Sequence, residues 1–363
     1  MERLYWNNDW KFAETWEEAM KEAVYPENEM EDVRLPHTCK ELPYHYFDEH
    51  AYQMLCGYRR HFMAPEAWQG KSVELTFEGV AHDAVVYVNG TEVKAHHCGY
   101  TAFFVEIAKY LKYGEDNVLA VRVDSRENLN IPPFGYAIDY MTFGGMYREV
   151  YVQVRNKTHL ADVFIKPQIH PLQVTTEITV QNISDGITLQ QEIRKKGEGA
   201  YSPLGKKPVK QTNVQTVFPV QEIRLWEPEN PYLYEIRTSL WKNGEMIDAR
   251  VDITGFREAG FRKDGFYLNG KKLRLRGLNR HQSYPYVGYA APASMQIFDA
   301  DILKKELGVN AVRTSHYPQS QDFIRRCDEI GLLVFTEFPG WQHIGGTGKK
   351  DGFHRHILRK FVP

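Results

Sequence analysis

The stretch NAVRTSHYPQSQDFIRRCDEIGLLVFTEF, residues 310–338, decides the fold of the C-terminal part of the chain. Apolar, β-branched runs at its two ends flank a segment whose helical pattern covers 320–330. A strand pattern at 272–279 and a helical pattern at 298–307 come before it, which predicts the βαβαβ order of a parallel sheet. Three strands predict only part of a (β/α)8 TIM barrel, because a closed barrel needs eight strands and about 250 residues.

A first β-rich region, residues 1–156, comes at the N-terminus. It contains short alternating runs such as SVELTF and NVLAVRV. The pair Asn89-Gly90 suits a type I′ turn within a hairpin. No long helical pattern interrupts these runs, so the region is predicted to be a β-sandwich of the jelly-roll type.

A second β-rich region, residues 157–258, repeats this pattern over about 100 residues around the pair Asn243-Gly244. Short strands without helices over this length predict an immunoglobulin-like β-sandwich, with residues 194–210 as a mobile polar loop. The predicted fold class is therefore multidomain. A jelly roll and an immunoglobulin-like sandwich come before a partial TIM barrel at 259–363.

Charge and cysteine content exclude several kinds of protein. The chain has 45 basic and 47 acidic residues and no long run of either sign, which argues against a nucleic-acid or anionic-membrane partner. Its four cysteines have neither the spacing of a zinc site nor the density of a disulfide framework. No signal peptide and no membrane span are visible, so the sequence predicts a cytoplasmic protein.

Polar residues cluster where each predicted barrel strand ends. Asn279 and His281 follow the first strand, Arg313 and His316 the second, and Glu337 the third. Functional side chains of parallel α/β folds gather at the carboxyl ends of strands, so these residues would face one rim. Taken singly, such a histidine also serves as a hydrogen-bond partner within a loop, and such a glutamate caps a helix or pairs with an arginine. Repetition at three strand ends favours a functional site.

The segments at these strand ends resemble a known family. RGLNRHQSYPYVG, NAVRTSHYP and CDEIGLLVFTE closely resemble the opening of the catalytic barrel in the family 2 glycoside hydrolases, the group of β-galactosidases, β-glucuronidases and β-mannosidases. RLPHT, YRRHF, FEGVAHDAVVYVNGTEV, NVLAVRVDS and GGMYREVYV are similar to the family's sugar-binding jelly roll. LWEPENPYLYEIRTSL and DITGFRE are similar to its immunoglobulin-like domain, and all these motifs occur in the family's order.

The resemblance implies roles in binding a carbohydrate. His281 and His316 match histidines that hydrogen-bond the sugar hydroxyls at the bottom of the pocket, and Arg313 matches an arginine beside the nucleophile. Asp139 matches an aspartate that reaches from the first domain to the sugar in β-galactosidases. Asp139 also suits an Asx-type turn ahead of a Gly-Gly bend, and both interpretations stay open.

The third strand end departs from the family pattern. In the bacterial β-galactosidases a Glu and a His near this strand bind magnesium, whereas here Trp341 stands where that Glu would be and only His343 remains. No magnesium ion or other cofactor is therefore expected. Trp341 suits an aromatic platform under a sugar ring, or packing against a helix. Glu337 is counted with the substrate-binding residues and matches neither catalytic carboxyl group of the family.

The implied reaction is retaining hydrolysis of a terminal β-linked sugar, of the β-galactosidase type. Such enzymes need two carboxyl groups about 5 to 5.5 Å apart, and the family places both on later barrel strands. The chain is therefore expected to lack both catalytic glutamates and to be inactive alone. Its last residues stop resembling the family, which a shifted reading frame, a natural truncation and a deliberate shortening explain equally.

Several alternatives stay open. The chain also suits a non-catalytic carbohydrate-binding protein, or a fragment that works only with a separate C-terminal half. The sugar is galactose, glucuronic acid or mannose, and the context of Asp139 favours galactose. An unfinished barrel leaves unpaired strand edges, which predicts self-association as a dimer or a domain swap. Otherwise, the segment beyond about Arg274 would stay disordered while the two β-domains fold.

Overall fold

The computed structural model describes residues 3–43, 45, 48–128, 130–133 and 140–339. Its first unit is a two-sheet β-sandwich with strands β1 Leu4–Tyr5, β2 Trp10–Ala13, β3 Glu31–Val33, β4 Leu55–Met63, β5 Ser72–Phe77, β6 Asp83–Val88, β7 Thr91–His96, β8 Phe103–Glu106, β9 Asp116–Asp124 and β10 Val150–Arg155. One sheet has the order β1-β10-β5-β8 and the other β3-β2-β4-β9-β6-β7. The jelly-roll prediction is confirmed.

The core of this sandwich lies between the two sheets. Alternate residues of β5, β6 and β9 are fully buried there, among them Leu75, Val86 and Val121. The hairpin between β6 and β7 has the predicted turn, since Asn89 and Gly90 adopt φ values of 50° and 81°. Positive φ at both positions is what a type I′ turn requires, and it explains why this dipeptide stands there. The Asn243-Gly244 turn has the same geometry, with φ values of 52° and 84°.

The second unit is a smaller sandwich with strands β11 His159–Ile169, β12 Leu172–Gln181, β13 Ile187–Lys195, β14 Ser202–Pro208, β15 Asn213–Pro219, β16 Trp226–Glu227, β17 Asn230–Pro231, β18 Tyr234–Lys242 and β19 Glu245–Thr254. Its sheets have the orders β11-β12-β15 and β14-β13-β18-β19. Gln191 crosses the core and bonds the hydroxyls of Thr176, Thr216 and Thr238 at 2.7–3.1 Å. Because the amide is fully paired, its burial carries no unsatisfied polar group.

The prediction of a mobile loop at 194–210 is wrong. Residues 194–195 of that tract end β13, and residues 202–208 form strand β14, which pairs with β13 from Thr188↔Pro208 to Ile193↔Ser202. Lysine, glycine and proline have low strand propensity, but they are common on edge strands, where one side of the ladder faces solvent. Tyr201 leads into this strand, and the guanidinium groups of Arg194 and Arg237 lie over its ring, 4.4 and 4.2 Å from the ring centroid.

The third unit begins with an antiparallel sheet of β20 Ala259–Arg262, β21 Gly265–Leu268 and β22 Lys271–Leu273. A parallel sheet follows, with the order β23 Gly277–Arg280, β24 Ala311–Thr314 and β25 Leu333–Thr336. Helix α1 Ala293–Asp301, continued by a π-helical turn at Ile302–Glu306, connects the first two of these strands, and α2 Gln321–Ile330 connects the last two. The partial barrel is as predicted.

The predicted strand 272–279 is two strands rather than one. Leu273 pairs with Phe266 in the antiparallel sheet, whereas β23 begins at Gly277 and pairs with β24. Between them the chain turns, and Asn310 bonds the turn at both ends: its side chain donates to the Arg274 carbonyl and accepts from the Arg276 amide, at 2.9 and 2.8 Å. This long-range contact of the Asn310 amide stabilises the break between β22 and β23. The alternation of apolar residues in the sequence does not reveal that break.

Contacts join the barrel segment to both sandwiches. The Trp226 indole donates to the carbonyl of Asp328 in α2 at 2.8 Å, which holds the second unit against the third. Arg148 of the jelly roll donates to the Gln282 side chain and to the Pro318 carbonyl, both at 3.0 Å. Among the described residues, no helix is long and apolar enough to cross a membrane.

Candidate active site

The parallel sheet brings the predicted strand-end residues to one rim. Asn279 lies opposite Arg313 in the β23–β24 ladder, and Arg313 lies opposite Phe335 in the β24–β25 ladder. Parallel strands in register end at the same level, so the residues that follow them meet there. His281, Arg313, His316 and Glu337 are brought together, while Asp139 and Trp341 lie outside the described residues.

Glu337 is the centre of the polar contacts at this rim. Its Oε1 accepts from the Arg313 guanidinium in a charge-assisted hydrogen bond. Its Oε2 lies 2.7 Å from Nδ1 of His316. An ionised carboxylate only accepts hydrogen bonds, so Nδ1 of His316 carries the proton and donates it. Both oxygens of Glu337 are therefore engaged by neighbouring side chains, which suits a positioning group better than a proton donor.

Aromatic rings lie around the two histidines. The ring centroids of His281 and His316 are 5.3 Å apart, and Tyr140 lies 5.6 and 5.7 Å from them. Tyr140 comes from the jelly roll, so the first and third units both contribute to the site. Reasoning from the strand ends does not reach Tyr140, because it lies outside the barrel segment. Its position beside Asp139 in DYMTFGGMYRE is the one signal that pointed there.

A cluster of buried tyrosines packs beneath this rim. Tyr100 and Tyr317 stack with centroids 4.4 Å apart and planes 8° apart. Tyr289 donates from its hydroxyl to the Met141 carbonyl at 2.9 Å, and Tyr147 donates to the Gly99 carbonyl at 2.5 Å. Burial raises the pKa of Tyr317, so its ring stays neutral in the interior. The cluster fixes the loops of the barrel against the jelly roll and thereby places His281 and His316.

The described residues contain no group of three His, Cys, Asp or Glu side chains that could hold a metal ion. Trp341 and His343, on which the magnesium expectation depended, lie beyond the described range. The expectation of a cofactor-free protein therefore stays a prediction. The described site offers hydrogen-bonding groups from two histidines and an arginine–glutamate pair.

Protein-family models of one class of enzymes, the glycosyl hydrolases, match most of the chain. The family 2 sugar-binding domain matches residues 29–155, the domain named simply for family 2 matches 158–257, and the family 2 TIM barrel domain matches 260–351. The chain belongs to glycosyl hydrolase family 2. Fold, domain order and the resemblance found in the motifs agree.

The individual relatives are named either β-galactosidase or β-glucuronidase. A β-galactosidase of Thermoanaerobacter pseudethanolicus is 45% identical over 356 residues, covering 96% of this chain and 48% of that protein. A β-glucuronidase of Bacteroides fragilis is 32% identical over 308 residues, covering 80% of this chain and 43% of that protein. The crystal structure of a Bacteroides uniformis β-glucuronidase superimposes with a TM-score of 0.88 at 28% identity, covering 99% of this chain and 45% of that one. The chain spans about half the length of the curated relatives it matches.

Proposed function

We propose that this chain supplies part of the sugar pocket of a β-galactosidase-like enzyme that hydrolyses terminal β-linked sugars with retention of configuration. The observation that carries the proposal is the rim at which His281 and His316 lie beside the Arg313–Glu337 pair. Imidazole and carboxylate groups recognise sugar hydroxyls by hydrogen bonds, and the identity of 45% to a β-galactosidase supports the same sugar class. Asp139 and Trp341 are proposed as further sugar contacts.

The charge balance of the site favours a neutral sugar over a uronic acid. Recognition of a glucuronate carboxylate requires a cation, and among the described residues of this rim the guanidinium of Arg313 already pairs with Glu337. A β-glucuronidase is the second candidate, because such enzymes are among the relatives. Binding of methyl β-D-galactopyranoside and of methyl β-D-glucuronide to the same protein decides between the two.

No catalytic residue is proposed within the described part of the chain. Retaining hydrolysis needs a nucleophile and a general acid/base about 5 to 5.5 Å apart. Glu337 is tied to Arg313 and His316, so it is proposed to position those groups. We expect the chain alone to leave a chromogenic β-galactoside intact. Turnover after mixing with the C-terminal half of a related β-galactosidase would identify it as a complementing fragment.

The experiment that tests the sugar pocket is ligand binding by titration calorimetry or ligand-observed NMR. Wild-type protein is expected to bind methyl β-D-galactopyranoside, and H316A to bind it at least about tenfold more weakly, since a charge-assisted or neutral hydrogen bond in a buried site is lost. H97A is the matched control, because His97 is an exposed jelly-roll histidine that pairs with Asp83. Equal affinities of H316A and the wild type would refute the proposed pocket.

A further inference from the structure

A pocket of about 430 Å³ lies beside the candidate active site, between the jelly roll and the loop that follows β23. We call it the loop pocket. Its wall includes the jelly-roll residues Leu42 and Tyr52 and the loop residues Tyr284, Pro285 and Tyr286. Pockets of this size, lined by aromatic side chains with a few polar groups, are the usual form of a small-molecule site.

The loop pocket shares a wall with the candidate active site. His281, Tyr140 and Tyr317 line it, and the first two also lie within 6 Å of the His316 ring centroid. A ligand whose terminal sugar contacts His316 therefore has its next ring within reach of the loop pocket. Continuity with the candidate site limits the occupant to the part of a glycoside beyond its terminal sugar.

The loop that presents Tyr286 is held in place before any ligand binds. Tyr284 and Gly288 exchange two backbone hydrogen bonds of 3.0 Å, which close a small hairpin around Tyr286. The Tyr286 amide donates to the Leu42 carbonyl at 3.0 Å, so the hairpin is bonded to the jelly roll. The Tyr284 hydroxyl donates to Asp299, which in turn pairs with the buried guanidinium of Arg280. Such preorganisation lowers the entropy lost on binding.

Tyr286 has two properties that packing alone does not explain. Its backbone adopts φ 68°, a left-handed conformation that is uncommon for a residue with a Cβ atom. Its ring is 53% exposed at the edge of the pocket. Unfavourable backbone geometry concentrates at ligand sites, where surrounding contacts maintain it. An exposed aromatic ring held in this way provides a flat surface on which another ring stacks.

The wall also contains a polar group without a partner. Tyr52 is 1% exposed, and its hydroxyl has no hydrogen-bond partner among the described residues. Burial raises the pKa of Tyr52, so the hydroxyl keeps its proton and can donate it. A buried, unpaired hydroxyl is unfavourable unless a ligand or water pairs with it. The loop pocket therefore has an apolar stacking surface and a donor.

We propose that the loop pocket is the aglycone subsite of the enzyme, with Tyr286 as the surface on which an aryl or pyranose ring of the leaving group stacks. Both ring types present a flat, largely apolar C–H or π face that suits an aromatic partner. This assignment rests on the proposed function, because it takes the terminal sugar to lie at His316. Tyr286 then determines which leaving groups are accepted.

The test compares two galactosides that differ in the aglycone alone. Dissociation constants of methyl and phenyl β-D-galactopyranoside are measured on the full chain. Wild type is expected to bind the phenyl compound about two- to tenfold more tightly, the range of an aromatic pair. Y286A is expected to abolish this preference and to leave the affinity for the methyl compound unchanged, whereas Y286F keeps the preference. F104A is the control, since Phe104 is an aromatic residue of the jelly roll with similar exposure.

The outcomes separate this inference from the proposed function. The subsite is refuted if Y286A keeps the preference for the phenyl compound, or if its affinities for the methyl and phenyl compounds fall by the same factor. If H316A binds the methyl compound as wild type does while Y286A still loses the phenyl preference, Tyr286 binds the phenyl ring, but the terminal-sugar pocket is refuted and with it the assignment of the loop pocket as the aglycone subsite. If wild type binds neither compound, both are refuted. Lactose, tested in parallel, shows whether a pyranose ring replaces the phenyl ring.

Should Y286A fail to fold, Y284F tests the same inference. The substitution removes the hydroxyl that bonds Asp299 and keeps the ring. Because the hairpin loses one anchor while the terminal-sugar residues stay in place, the phenyl preference is expected to fall and the affinity for the methyl compound to persist. An unchanged preference in Y284F would contradict the role of the preorganised loop.

Discussion

Arg148 and Gln282 are 134 positions apart in the chain, and the Arg148 guanidinium donates a hydrogen bond of 3.0 Å to the Gln282 side chain. Gln282 follows His281 directly, so this contact ties the jelly roll to the loop that carries a candidate sugar ligand. Arg148 is 7% exposed and also bonds the Pro318 carbonyl. R148M is expected to lower the free energy of unfolding by about 2–4 kcal/mol, because buried acceptors lose their donor.

Urea unfolding with a tryptophan-fluorescence readout measures this effect, and limited proteolysis shows whether the barrel segment becomes accessible. R262M is the matched control, since Arg262 lies on an exposed strand and contacts the Tyr267 ring. The control is expected to stay within about 0.5 kcal/mol of wild type. Equal stabilities of R148M and R262M would show that the contact does not hold the two units together.

Gly331 and Gly186 are a matched pair of sites for substitution by alanine. Both adopt left-handed backbones, with φ values of 77° and 80°. A Cβ atom on Gly331 would lie 2.1 Å from the Pro228 carbonyl oxygen, whereas one on Gly186 meets nothing within 4 Å. G186A is expected to cost about 1 kcal/mol for the left-handed backbone, and G331A about 3 kcal/mol or more because α2 must move from the second unit. Thermal unfolding of both variants checks the difference, and equal losses would contradict it.

Glu337 is expected to act through Arg313 and His316. E337Q keeps the size of the side chain and removes the charge that both neighbours contact. Charge-assisted hydrogen bonds are about twice as strong as neutral ones, so the affinity for methyl β-D-galactopyranoside is expected to fall about tenfold with little change in melting temperature. E177Q, at an exposed pair with Lys166, is the control. Loss of stability without loss of affinity would assign Glu337 a structural role.

His82 is expected to make the jelly roll sensitive to acid. Its ring is 4% exposed, neither nitrogen has a partner among the described residues, and burial lowers its pKa from 6.5 to about 4. His82 takes up a proton near pH 6.5 in the unfolded chain and near pH 4 in the folded chain. Its contribution to the free energy of unfolding is therefore fully present above pH 6.5 and is lost as the pH falls through 4. Between pH 7 and 4, wild type is expected to lose up to about 3 kcal/mol more than H82Q. Denaturant titrations at several pH values measure this, and parallel curves would refute it.

The proposed self-association is expected to run through the open edges of the barrel sheet. Within the described residues, β23 and β25 each pair on one side only. Leu278 of β23 is 47% exposed, so an edge strand with unpaired backbone groups also carries an exposed apolar side chain, and such edges recruit another strand. L278K is expected to lower the apparent mass in light scattering at micromolar concentration, and V217K, at an exposed valine of the second unit, is expected to leave it unchanged. A monomeric mass for the wild-type protein would refute the predicted self-association.

Local sequence signals predicted much of the fold. The turns at Asn89-Gly90 and Asn243-Gly244 have the positive φ values that these dipeptides favour. Helix α2 has Ser320 at its N-cap, where the hydroxyl accepts from the Asp322 amide, and ends at Gly331 in a left-handed conformation. The loop predicted at 194–210 and the single strand predicted at 272–279 are wrong, because edge pairing with β13 and the Asn310 contact depend on tertiary pairing that local signals do not show.

The sequence by itself determined the order of the three units, the family and the strand ends at which His281, Arg313, His316 and Glu337 stand. These features follow from local backbone preferences, from the period of apolar residues and from motifs that are contiguous in the chain. Only the tertiary structure decided that Glu337 binds both Arg313 and His316, that Tyr140 joins the histidines, and that Tyr286 borders a pocket. Packing brings these side chains together from positions up to about 200 residues apart, and no local propensity encodes a contact over that separation.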